Sequence, residues 1–152
     1  MPLDLILAHV HAYATLCMTG LIWFVQVNHY PLFKNVAEAN EDVWRKYEEA
    51  HQARTTVIVM PLMFAELGTA GWFAFTQTGP LTIAGAALIA IVWLQTFAVA
   101  VPIHAALGRA FDARLHARLV WTNWIRTVGW SARGVIGLML LQRVLLQQAA
   151  AA

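Results

Sequence analysis

Charge is what this chain has least of. Only 12% of its 152 residues are Asp, Glu, Lys or Arg, and 60% are hydrophobic. A soluble domain carries about 25% charged residues, so the composition points to one compact membrane unit over residues 1–152. The net charge is only +2. No basic cluster stands out, and a nucleic-acid partner is not expected. The single Cys17 lies in an apolar run. It has no partner for an internal disulfide and reads as a small core residue. Met1-Pro2-Leu3-Asp4 lacks a basic leader region, so no cleavable signal peptide is expected. Alternating apolar and polar residues are missing from the long apolar runs, which excludes a closed strand barrel and leaves helices. There is no repeat of 20–50 residues, no HExxH and no CxxCH.

Four apolar stretches are present, at about 3–27, 55–75, 81–103 and 119–145. Each is long enough to cross a bilayer core, which takes ~20 residues. The fold class is therefore all-α, a four-helix transmembrane bundle. Asn28-His29-Tyr30-Pro31 marks the end of the first span. Between spans 1 and 2, KNVAEANEDVWRKYEEAHQAR at 34–54 sets Val36, Val43, Trp44, Tyr47 and Arg54 at helical spacing. It predicts an amphipathic cytoplasmic helix between spans 1 and 2, running into span 2, with a solvated charged face. Lys34, Arg45, Lys46 and Arg54 in this connection, and Arg109, Arg114 and Arg118 in the 104–118 connection, set the orientation. Short Lys/Arg-rich loops stay inside, so both termini are expected outside, in the bacterial cytoplasmic (inner) membrane. The tail from Gln147 onward is of low complexity and is expected to fray. Small residues at Thr19-Gly20, Gly68/Gly71, Gly85 and Gly129/Gly134/Gly137 offer sites of close helix approach.

The fourth stretch, LVWTNWIRTVGWSARGVIGLMLLQRVL, sets a problem. It carries Asn123, Arg126 and Arg133 on one helical face, with Trp130 and Gly137. An arginine at the middle of a bilayer costs roughly 2.5–3.5 kcal/mol on the mildest scale. These side chains must therefore face a protein interior and find partners there. By depth, Glu66 of span 2 and His11 or His9 of span 1 lie level with Arg133 in an outer polar layer. A Glu66–Arg133 pair could be structural, or it could handle protons with His11 as the titrating partner.

The inner layer is richer. It collects Gln26, Asn28, His29, His51, Arg54, Gln95, His104, His116, Asn123 and Arg126. His29, His51, His104 and His116 could be interfacial anchors or could hold a metal or haem, since neutral imidazole suits iron, copper and zinc. Arg126 and Asn123 are candidates to hold an oxygen of a ligand, with His29, His104 and Gln95 nearby. Trp130, between Arg126 and Arg133, could stack a planar molecule. The remaining tryptophans fit interface belts and packing.

Two resemblances bear on these residues. VPIHAALG at 101–108 followed by LVWTNWIRT at 119–127 resembles the motif of the anthrone-oxygenase-like family of small four-helix membrane proteins. Pro102, Leu107, Asn123 and Arg126 match, and His104 stands where that family often has Asn. The resemblance covers the second half of the chain; the first half is similar in architecture. It implies oxygenation of a polycyclic aromatic anthrone to a quinone. An early histidine followed by TGLIWFVQVNHYPLF at 19–33 is similar in layout to the HemJ-type protoporphyrinogen oxidases. That similarity implies haem, with His11 as an axial ligand. No lysine follows Lys46, whereas that family has a functional lysine in a later span.

The expectation is an integral membrane oxidoreductase acting on a flat hydrophobic or quinone-like molecule inside the bundle. Arg126 and Asn123 would hold its oxygen, Glu66 and His11 would exchange protons, and Arg133 would tune that pair. A haem- or metal-binding electron-transfer protein is the second reading. A non-enzymatic subunit or assembly factor, with a membrane-protein partner or a second copy of itself, is the third.

Overall fold

The computed structural model describes residues 2–151, which form four helices and no strand. Helix α1 spans Leu3–Ala39, α2 Glu41–Thr76, α3 Pro80–Leu107 and α4 Ala113–Ala150. The first three are long and apolar enough to cross a membrane. Helix α4 is as long, at 38 residues, but carries Arg126 and Arg133 in its middle. The helices alternate in direction. The Asn40 junction and the 108–112 connection lie at one end, the loop end, and the chain termini with the 77–79 turn lie at the other.

Local chemistry sets the helix ends. Asn40 takes an extended backbone, and its side-chain oxygen accepts from the amides of Asp42 and Val43 at 2.8 and 3.0 Å. Glu41 and Asp42 then sit in the first turn of α2, where the helix dipole favours negative charge. Asp112 caps α4 in the same way, accepting from Arg114 and Leu115. At the tight turn Pro80 occupies the first position of α3, and the amide of Gly79 donates to Thr82 Oγ1 at 3.0 Å.

The helix expected over 34–54 does run into the second span, but it does not form as one element. The Asn40 cap divides that segment between the end of α1 and the start of α2. At ~1.5 Å per residue, the 36 residues of α2 reach about 54 Å, beyond a hydrocarbon core of ~30 Å. The charged stretch is thus the projecting part of a spanning helix. Nor does α1 end at residues 28–31. A turn of π-helix at Val25–His29 takes in the extra residue, and Pro31 follows at the start of the next α-helical section. Helix α3 repeats the arrangement, with a π-turn at Gln95–Ala100 and Pro102 just after it. Residues 147–150, expected to fray, continue α4.

The two hairpins share an outline. Asn40, His51, Arg54 and Thr55 of the first stand at one constant offset from Asp112, Asn123, Arg126 and Thr127 of the second. Each hairpin has a π-turn that opens near a buried glutamine, Gln26 or Gln95.

The bundle buries polar layers alongside an apolar core and presents large apolar side chains on its outside. His11, Glu48, Glu66, Asn123 and Arg133 are buried, whereas Phe75 and Trp121 are 91% and 75% exposed. The apolar exterior suits a lipid solvent. Helix α4 packs against α1 and α3, and it does so through glycines. A Cβ on Gly137 would lie 2.6 Å from Thr15 Oγ1 of α1, and one on Gly129 would lie 2.5 Å from Val92 of α3. The hydroxyl of Thr19 crosses the same α1–α4 seam to the carbonyl of Trp130 at 2.8 Å. Gly68 and Gly71 meet nothing within 4 Å, so their expected role in close packing is not used.

Gly137→Val should lower stability by about 1–3 kcal/mol through overpacking, read as a fall in melting temperature of the detergent-purified chain. Gly68→Ala, which fills open space, should not lower it. Equal melting temperatures for the two variants would contradict this account of the α1–α4 seam.

Candidate functional site

The outer layer forms around Arg133. Its guanidinium pairs with the Glu66 carboxylate of α2, and it donates from Nη2 to His11 Nε2 of α1 at 3.2 Å. A guanidinium can only donate, so His11 Nε2 accepts and its Nδ1–H is left to donate to Thr69 Oγ1 at 2.8 Å. The threonine hydroxyl passes its own proton to the Ala65 carbonyl at 2.8 Å. Gly85 of α3 makes room, because a Cβ there would lie 2.7 Å from Arg133 Nη1. His9 faces outward and bonds to the Leu5 carbonyl of its own helix. Of the two early histidines, His11 is therefore the interior one. The sequence brings Glu66, His11 and Arg133 together as expected. The space beside His11 and Arg133 is about 10 Å³, room for one water at most. No substrate fits there.

The inner layer is different. Arg126 Nη1 donates to Asn123 Oδ1 at 3.1 Å, Asn123 Nδ2 donates to Gln26 Oε1 at 2.8 Å, and Gln26 Nε2 donates to the Val120 carbonyl at 3.2 Å. This chain fixes Asn123 with its oxygen towards the guanidinium. Arg126 is 7% exposed and Nε has no partner. No carboxylate lies within ion-pairing distance of it among the described residues. It lines a cavity of about 200 Å³ between α2, α3 and α4. Tyr30, His51, His104, Gln52 and three threonines add polar wall, and Val59, Met60, Phe97 and Val101 are among its apolar lining. A cavity of about 150 Å³ already takes a benzene ring.

Beside this cavity the imidazoles cluster. The Tyr30 hydroxyl and His104 Nε2 are 2.8 Å apart, and His104 Nδ1 is 2.5 Å from Glu48 Oε1. His51 Nδ1 is held by His29 Nε2 at 2.8 Å and by Thr55 Oγ1 at 3.1 Å. A second, more open groove of about 280 Å³, between α1 and α2, reaches His29 and His51 from the other side.

Several expectations need correction. His116 does not join the other three histidines: its Nε2 donates to the Tyr30 carbonyl at 2.8 Å, and its ring lies across Phe33 from them. Gln95 does not face the cavity. It donates to the Thr122 carbonyl at 3.0 Å and ties α3 to α4. Trp130 is fully buried among Met18, Ile22 and Val92, so it cannot stack a ligand. His29 and His51 touch directly, with ring centroids 4.6 Å apart, and leave no slot between them for a haem. The sequence reading missed Glu48, wholly buried despite its charged neighbours. A signal was present: Trp44, Tyr47, Glu48 and His51 fall at i, i+3, i+4 and i+7, one helical face.

Comparison with protein-family models, with curated proteins and with solved structures gave no match.

Glu66→Ala should destabilise the fold by about 3–5 kcal/mol, because it strands the Arg133 charge in the interior. Glu66→Met combined with Arg133→Met should recover most of that loss. Denaturant unfolding in micelles, arranged as a double-mutant cycle, reads the coupling. Additive losses would rule out a tight pair.

Proposed function

We propose that this chain is an oxygenase-like membrane oxidoreductase whose substrate is a flat, apolar, quinone-like molecule bound in the cavity at the loop end. One observation carries the reading: a buried arginine without a carboxylate forms the wall of a largely apolar cavity. Keeping an unpaired guanidinium in such a place is costly, and an oxygen-bearing ligand would supply the missing partner. The apolar residues Val59, Met60, Phe97 and Val101 suit a ring system arriving from lipid.

The resemblance of the 101–108 and 119–127 segments to the anthrone-oxygenase-like family suggests the chemistry. An anthrone-type CH₂ would lose a proton to an inner-layer imidazole on the cavity wall, His51 or His104, to give an aryloxide. Arg126, oriented by Asn123, would stabilise that oxygen's negative charge. Dioxygen is the oxidant, and the balance is R₂CH₂ + O₂ → R₂C=O + H₂O. The outer Glu66–Arg133–His11 group then sets helix positions and leaves proton exchange to the inner layer. The Lys- and Arg-rich loop end faces the cytoplasm of a bacterial inner membrane, with both termini periplasmic.

The test is turnover of anthrone and hydroquinone probes by the detergent-purified chain, followed by quinone absorbance and oxygen uptake. Arg126→Ala should lower kcat by about 10²–10³-fold, the usual cost of losing an oxyanion partner, with an unchanged elution profile. Wild-type protein that neither binds nor oxidises any of these probes would end this reading.

A further inference from the structure

The geometry points to a divalent transition-metal site at Glu48, His51 and His104, on the wall of the same cavity. The three side chains come from two helices, α2 and α3, and each offers one ligand atom within 4.8 Å of the others. Zinc and its neighbours hold nitrogen and oxygen ligands at about 2.0–2.2 Å, which places adjacent ligands roughly 3–3.5 Å apart. The cluster thus needs only small side-chain movements to close on an ion.

Two independent features support an ion here. The first is Glu48 itself. It is wholly buried, its Oε2 has no partner, and no lysine or arginine pairs with it among the described residues. A buried carboxylate with an orphan oxygen is costly, and a divalent cation satisfies both its charge and its lone pairs.

The second is the way each imidazole is held. His51 is gripped at Nδ1 by His29 and Thr55, which leaves Nε2 free. His104 is gripped at Nε2 by the Tyr30 hydroxyl, and its Nδ1 turns to Glu48. Metal-binding histidines are oriented in this manner, one ring nitrogen on the ion and the other on a supporting group.

Two imidazoles and one carboxylate suit zinc or ferrous iron and leave coordination positions open. His51 and His104 line the cavity together with Arg126, so the open positions fall where the substrate is proposed to bind. A role for the ion in turnover rests on that functional reading; binding of the ion does not.

The experiment uses the full chain in detergent, stripped with chelator and titrated separately with Zn²⁺, Co²⁺ and, anaerobically, Fe²⁺. Elemental analysis and calorimetry should give one ion per chain, with a higher melting temperature. Co²⁺ should show a ligand-field spectrum of low symmetry. Glu48→Gln and His104→Ala should each weaken binding by more than about 100-fold, and His29→Ala by about 10–100-fold, as for a supporting residue. His116→Ala should bind like wild type. Metal-free melting of each variant separates loss of ligand from loss of fold, and the isosteric Glu48→Gln carries the test if His104→Ala does not fold. Arg126→Ala should keep the metal while losing turnover, which separates this site from the functional reading. A wild-type chain that takes up less than half an equivalent of every ion, or a folded Glu48→Gln that binds as tightly as wild type, would overturn the site.

Discussion

The bundle depends on how one guanidinium is accommodated. Arg133 sits in the middle of α4, where an unpartnered cation would be expelled from an apolar interior. Its carboxylate partner is Glu66 of α2, its hydrogen-bond acceptor is His11 of α1, and its space comes from Gly85 of α3. Every helix therefore contributes to one charge. Such pairs add little net stability compared with apolar packing, but removing one member leaves a buried ion. The arrangement selects one register of four helices whose outer faces are otherwise interchangeable apolar surface.

Arg126 stands about two turns closer to the loop end and is treated in the opposite way. Its Nη1 has a neutral partner, Asn123, and no acid reaches it. The void beside Arg133 is about 10 Å³, whereas Arg126 borders about 200 Å³. One arginine is consumed by the fold and the other is kept available. Glu48 completes the contrast, because it too is buried with an oxygen left over. An unsatisfied base and an unsatisfied acid within one compact region are expensive for a fold, and chemistry at a site is what makes such expense worthwhile.

Much of this was legible in the residues. Length and hydropathy gave four helices, and depth alone paired Glu66 with Arg133. The sense of the inner layer was also legible, since His29, His51 and His104 do meet. Other features escaped for physical reasons. A π-turn has no local signature, so the first helix was expected to stop at Pro31 although it runs on to Ala39. Glu48 was hidden because charges of both signs around it suggested a solvated face, while its helical phase with Trp44 and His51 said otherwise. Gln95 was placed near the site by depth, which says nothing of which way a side chain turns, and Trp130 by its helical face, which says nothing of how fully that face is packed. The shared outline of the two hairpins was missed because its period exceeds that of the common short repeats.

The π-turns bear on how such a chain can change. A regular helix advances ~100° per residue, so a turn with one residue added resets the phase of everything after it. In α1, Ala12, Thr15 and Thr19 before the π-turn meet α4, and His29 and Tyr30 at and after it meet His51 and His104. The two halves of that helix are thereby uncoupled as faces while remaining one rod. The two halves can drift independently, and insertion or deletion of a residue within the π-turn is the one small change that would re-aim His29 and Tyr30 together, and with them the supports of His51 and His104.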